Sequence, residues 1–184
     1  TPEFDQVLAI TARTDYNALT RYMVETVSAL AYVSDVSVYE VFHNTSPETF
    51  SESKYIYRRF NHDLSASRVT EMIPGLDLCM SRETLTEFSD ETGRHNLIIP
   101  VRSKQGPTRL FCMQTDNMEA DSHLYLTNLL LLYQNLVHLL DAKERDALTG
   151  LLNRQTLDTH LLALADRVRE VHTEAWLAVL DIDH

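Results

Sequence analysis

The segment from about Glu119 to Arg145 constrains this chain more than any other. It carries two apolar rows at helical spacing. Tyr125, Leu129, Leu132, Leu136 and Leu139 step by 4, 3, 4 and 3, and Leu126, Leu130, Tyr133, Val137 and Leu140 follow one residue along. Residues three and four apart share one side of an α-helix, so two adjacent rows make a face too broad to leave in water. One row can pack on a sheet while the other meets a second copy, because parallel helix pairing uses this repeat. A single wide face buried in one subunit is the alternative. The pattern predicts a homodimer formed through the 119–145 helix, with Leu129, Leu132, Leu136 and Leu139 as the contact row. Asn128, Gln134, Asn135 and His138 interrupt the richest stretch, Leu124 to Leu140. No run reaches the roughly 18 apolar residues that crossing a bilayer needs. The charged run Asp141 to Asp146 then predicts that the helix leaves the core and becomes a connector.

Upstream, residues from about 5 to 34 read as helical. Asp15 suits an N-cap, and Leu19, Met23, Val27, Leu30 and Ala31 recur on one face. The runs 36–42 and 54–60 are rich in β-branched and aromatic residues and predict two strands. Residues 63–92 are mixed, broken by Pro74-Gly75, with short helical pieces expected on either side. Strands over 95–102 and 108–115, joined by a turn at 103–107, predict a hairpin. The order is helix, two strands, a mixed crossover, a hairpin and a long helix. An α+β fold satisfies it, with one antiparallel sheet flanked by helices.

This order resembles a GAF domain, a small bacterial sensory module, over roughly residues 15–140. The nearest local match is Leu97-Ile98-Ile99-Pro100-Val101 followed by Leu110-Phe111-Cys112-Met113. It is similar to the GAF hairpin, in which an apolar strand ends in Pro, turns and returns apolar. The family usually has a small residue early in the returning strand, where this chain has Thr108-Arg109. A PAS domain is the structural alternative, and it usually lacks a long leading helix. The resemblance implies an unknown small ligand for the sensory domain.

Asp146-Ala147-Leu148-Thr149-Gly150-Leu151-Leu152-Asn153-Arg154 follows the long helix. Thr149-Gly150 breaks a helix, since Gly tolerates the backbone angles of a reversal. Leu148 and Leu151 are expected to anchor the turn against an apolar surface. Asn153 suits the N-cap of a helix from Arg154 to about Val171, with Leu157, Leu161, Leu164 and Val168 on one side. Ala175 to Leu180 is a continuous apolar run, as in a strand buried on both faces. It ends in Asp181-Ile182-Asp183-His184. Carboxylates at a strand end suit Mg²⁺, a hard ion that prefers oxygen ligands.

The nine-residue turn resembles the opening of the GGDEF domain of diguanylate cyclases, Asp-x-Leu-Thr-Gly-Leu-x-Asn-Arg. Asp146, Leu148, Thr149, Gly150, Leu151, Asn153 and Arg154 occupy all of its fixed positions. About 27 residues on, Asp181-Ile182-Asp183-His184 is similar to the start of that family's first catalytic strand. The resemblance implies Mg²⁺ or Mn²⁺ in the intact parent protein. Asp181 would supply a side-chain oxygen and Ile182 its main-chain carbonyl, with Asp183 a further candidate. It also implies that the parent condenses two GTP into cyclic di-GMP. The family's phosphate, guanine and second-metal contacts would lie beyond His184, so this chain by itself is expected to be inactive, with no catalytic set complete and no metal bound. On this resemblance, residues 1–118 with the helix 119–140 are expected to form the sensory domain, residues 141–153 the connector and turn, and 154–184 the first helix and strand of the GGDEF domain. The alternative is a non-enzymatic ligand-binding or dimerisation module that regulates a degenerate GGDEF domain.

Composition narrows the rest. A net charge of −11 repels phosphate backbones, which argues against a nucleic-acid partner. With no signal peptide or membrane-spanning run, a cytoplasmic location is expected. Cys79 and Cys112 lack a CxxC or Cys/His neighbourhood, and Gly75, Gly93, Gly106 and Gly150 stand singly rather than in a phosphate loop.

Overall fold

The computed structural model describes residues 2–43, 54–60, 68–69, 75–82, 84–91, 93–104, 106–116, 118–171 and 177–179. Two helices open the chain, α1 (Pro2–Thr11) and α2 (Tyr16–Ser28). The single helix expected over 5–34 is therefore broken. Asp15 adopts an extended backbone (φ −140°, ψ 157°), and its carboxylate accepts the Ala18 N–H at 2.8 Å. A residue that caps one helix cannot continue another, so the cap legible in the sequence is also the break.

Then follow β1 (Val33–His43), β2 (Tyr55–Arg59), β3 (Arg68–Val69), α3 (Leu76–Arg82), β4 (Thr86–Ser89), β5 (His95–Val101), β6 (Thr108–Thr115), α4 (Ala120–Glu144) and α5 (Arg154–Val171). The six strands form one sheet in the order β3-β2-β1-β6-β5-β4. Every neighbouring pair is antiparallel. The α+β architecture read from the sequence is present. Strand β4 falls within the expected crossover; its four residues are too few for alternation to declare itself.

The pleat sends alternate residues of β1, β5 and β6 to opposite faces. Val38, Leu97, Val101, Phe111 and Met113 meet α2 and α4, where Leu19, Met23, Leu126, Leu130, Tyr133 and Val137 close the main core. Tyr39, Val41, Ile98 and Leu110 face the other way and pack with Leu76 and Cys79 of α3. Burying each such aliphatic side chain contributes about 1.5–3 kcal/mol. The second apolar row of α4 is therefore the core row. The first row divides: Leu129 is only 5% exposed, while Leu139 is 68% exposed. Leu132 and Leu136 pack against the core from its margin. Leu129 is thus withdrawn from any outward contact row.

The connector begins later than the charge run suggests. Asp141 and Glu144 are buried, at 1% and 7% exposure, so α4 stays in the core to its last turn. Ion pairing and hydrogen bonding, described below, offset the desolvation that would have expelled them.

Candidate functional site

The chemistry at the end of α4 is ionic. Arg109, on the helix-facing side of β6, is fully buried. Its Nη1 donates to Asp141 Oδ2 at 2.7 Å and its Nη2 to Oδ1 at 2.9 Å. The guanidinium carbon lies 4.0 Å from the centre of the Tyr16 ring, a cation–π contact. Burial opposes ionisation of Asp141, but the Arg109 hydrogen bonds and charge outweigh it and hold the carboxyl below its usual range. Gly106, in the β5–β6 turn, lies against the same carboxylate. A Cβ there would sit 2.5 Å from Asp141 Oδ2, so no larger residue fits without displacing it.

Arg145, one residue past α4, donates from Nε to Asp141 Oδ1 at 3.1 Å and from Nη1 to the Gly150 carbonyl at 2.9 Å. Beside it, Glu144 Oε1 accepts the Tyr16 N–H at 3.1 Å, tying the start of α2 to the end of α4. Burial pushes the Glu144 carboxyl up, and the Tyr16 N–H only partly offsets it.

The turn is built from polar contacts. Asp146 Oδ1 accepts from Leu148 N at 3.2 Å, Thr149 N at 2.8 Å and Thr149 Oγ1 at 2.8 Å. The Thr149 hydroxyl bond leads in holding the Asp146 carboxyl below its usual range. Gly150 has φ +69°, the left-handed region that favours glycine. Asp146 N donates to Leu151 O at 2.8 Å, and an antiparallel bridge pairs Arg145 with Leu152. Asn153 works in both directions: Oδ1 caps α5 by accepting Thr156 N at 3.0 Å, and Nδ2 donates to Lys143 O at 2.7 Å.

Leu148 and Leu151 do not anchor this turn. They are 93% and 68% exposed. The Asx hydrogen bonds and the Gly150 angle hold the reversal without apolar support. Arg154 opens α5 at the surface, and Leu157 and Leu162 of that helix are 45% and 70% exposed. The run 175–180 is described only at Leu177, Ala178 and Val179. These are exposed and form no strand, in contrast to the doubly buried strand expected. Among the described residues no further strand exists for them to join. Asp181, Ile182 and Asp183 lie outside the described residues. Among those described, no group of three or more His, Cys, Asp or Glu is placed to hold a metal ion.

On the sheet face that carries α3, a cavity of about 110 Å³ is lined by Asp35, Ser37, Tyr39, Phe88, Asn96 and Cys112, among others. Its polar wall comes from β1 and β5 and its apolar wall from Phe88. Burial pushes the Cys112 and Cys79 thiols up, which makes both poor nucleophiles. Both cysteines are free thiols.

Arg109, Asp141, Glu144 and Gly106 went unrecognised in the sequence. A signal was present: Val137, Asp141 and Glu144 continue the inward helical period at steps of 4 and 3. A charge at an inward position requires a buried partner.

No protein-family model, curated protein or solved structure matches the chain. No helix is long and apolar enough to cross a membrane, among the described residues.

Proposed function

We propose that this chain is the sensory and pairing region of a diguanylate cyclase, with a GAF-like domain leading through α4 into the opening of a GGDEF domain. One observation carries the reading. The seven residues of the Asp146–Arg154 signature fold as a polar reversal, directly continuous with a helix buried to its last turn. That is what a joint between a sensor and an output domain requires. Helices on one face of an antiparallel sheet, and a small cavity on the other, support the GAF-like reading.

The parent protein would join two GTP into cyclic di-GMP, each 3′-hydroxyl attacking the α-phosphate of the other nucleotide and releasing two pyrophosphates. Each domain holds one GTP, so two must face each other. Pairing the sensor helices supplies that proximity. Leu124, Leu131 and Leu139 are the exposed leucines of α4, at 60%, 53% and 68% exposure, and form the homodimer contact. Asp181 and the Ile182 carbonyl, with Asp183 beside them, would bind Mg²⁺ or Mn²⁺, which polarises the phosphoryl oxygens. The exposed Leu148, Leu151 and Leu157 then pack against the rest of the output domain. Incubating the full-length protein with GTP and Mg²⁺ tests the reading. Cyclic di-GMP is expected from the full-length protein and none from this chain. Unconverted GTP in the full-length reaction contradicts it.

A further inference from the structure

We infer that Arg109, Asp141 and Arg145 form a positioning relay by which the sheet sets the geometry of the Asp146–Arg154 turn. The relay has three links, each a hydrogen bond between named atoms. Arg109 grips both oxygens of Asp141 from β6, at 2.7 and 2.9 Å. Asp141 Oδ1 also accepts Arg145 Nε at 3.1 Å. Arg145 Nη1 then reaches the Gly150 carbonyl at 2.9 Å, inside the turn. The first link is sealed, with the Arg109 and Asp141 side chains 0% and 2% exposed. The second is nearly so, with the Arg145 side chain 17% exposed.

Burial makes the relay stiff. A bidentate guanidinium–carboxylate pair fixes direction as well as distance. In low dielectric, separating Arg109 from Asp141 leaves the buried Arg109 charge without a carboxylate, so these two groups move together. The carboxylate fills the space that a side chain at Gly106, in the β5–β6 turn, would need. The sheet end of the relay is also the sensor end. Strand β6 presents Arg109 to the helices and, three residues on, Cys112 to the cavity on the opposite face. A shift of β6 relative to α4 therefore moves Arg109, and through Asp141 and Arg145 it pulls on Gly150. Arg145 is extended (φ −116°, ψ 151°) and already outside the helix, so its side chain spans the boundary between the rigid core and the turn.

The biological purpose of the relay rests on the cyclase reading above, but its existence does not, and it is tested in this chain without GTP. The test is amide hydrogen exchange at Asp146, Gly150 and Asn153, whose N–H groups donate within the joint. Two variants are compared. R109M/D141L removes the buried pair while keeping apolar bulk. R145M leaves the Arg109–Asp141 pair intact and cuts only the last two links. Both are expected to exchange at least tenfold faster than wild type at those three amides. Amides that donate within the β1–β6 ladder keep their protection in R145M. R145K, which retains charge but not the two-pronged reach, falls between wild type and R145M. Wild-type protection of the turn in R145M overturns the inference. So does R145M exchange that rises equally in the turn and in the ladder, since that reports general loosening. R145M decides the matter even if R109M/D141L does not fold.

Discussion

Arg109 and Asp141 sit 32 residues apart in the chain and meet through two hydrogen bonds of 2.7 and 2.9 Å with almost no solvent contact. The pair joins the sheet to the last turn of α4. Its two members are unequal in what they leave behind when removed, which makes the pair measurable. Arg109→Met leaves the buried carboxylate with Arg145 alone as its guanidinium partner, and breaking a buried pair by removing one member costs up to about 3–5 kcal/mol. Arg109→Met with Asp141→Leu leaves no buried charge from the pair and frees only the part-exposed Arg145, and well-packed apolar replacements of buried ion pairs are often neutral, or stabilising by about 1–4 kcal/mol. Urea unfolding of both variants is expected to show the double variant more stable than the single one. A double variant at least as unstable as Arg109→Met contradicts this account of the pair.

Gly106 offers a second route to the same carboxylate. Its φ is not in the left-handed region, so alanine there is a question of space alone. The added Cβ would lie 2.5 Å from Asp141 Oδ2 and 2.8 Å from Cγ. Gly106→Ala is therefore expected to destabilise by about 1–3 kcal/mol, as overpacking does. In the Asp141→Leu, Arg109→Met background the cost is expected to change, because neighbouring sites are not additive. Equal costs in both backgrounds, from thermal or urea unfolding, would show that the glycine answers to something other than Asp141.

Glu144 provides a pH test. Burial raises its carboxyl above the ordinary range, with Asp15 and Asp141 adding to the rise and Tyr16 N–H and His160 opposing it. A raised carboxyl means the folded state binds a proton more readily than the unfolded one. Its contribution to stability therefore increases as pH falls through the raised value and is lower above it. Asp141 behaves oppositely: its depressed carboxyl contributes fully above the usual range, and the contribution is lost as pH falls toward the depressed value. Glu144→Gln retains an acceptor for the Tyr16 N–H. At neutral pH it is expected to match or exceed wild-type stability, because the amide carries no charge to desolvate. Denaturation between about pH 4 and 8 should show the mildly acidic rise in wild type and its absence in the variant. The same rise in both proteins assigns it to another group.

These residues also mark where the sequence was legible and where it was not. Strands β5 and β6 and helix α4 were readable because apolar periodicity persists over seven or more residues in each. Asp15 and Asn153 were readable as caps because capping is local, needing only a short polar side chain beside the first turn. The break between α1 and α2 was missed by following apolar spacing past the very cap that ends it. The burial of Asp141 and Glu144 was missed because a charged run was taken as an exit to solvent. Their partners, Arg109 and the Tyr16 amide, lie 32 and 128 residues away, which no local pattern encodes. The turn signature was read correctly as a reversal, but among the described residues of this chain no apolar surface covers the leucines expected to anchor it. Its fixed leucines are exposed, and its asparate-centred hydrogen bonds do the holding.

On the proposed function, α4 pairs two copies so that two nucleotides meet. Leu131 and Leu139 are 53% and 68% exposed, so replacing both with Glu should leave the core intact while repelling a partner. The decisive measurement is the rate of cyclic di-GMP formation by the full-length protein as a function of protein concentration, with sedimentation velocity on the same samples. Wild type is expected to sediment as a dimer with a rate per molecule that does not vary with concentration. Leu131→Glu/Leu139→Glu should sediment as a monomer, with a rate per molecule that falls in proportion to dilution. A monomeric variant that keeps the wild-type rate at every concentration contradicts the claim.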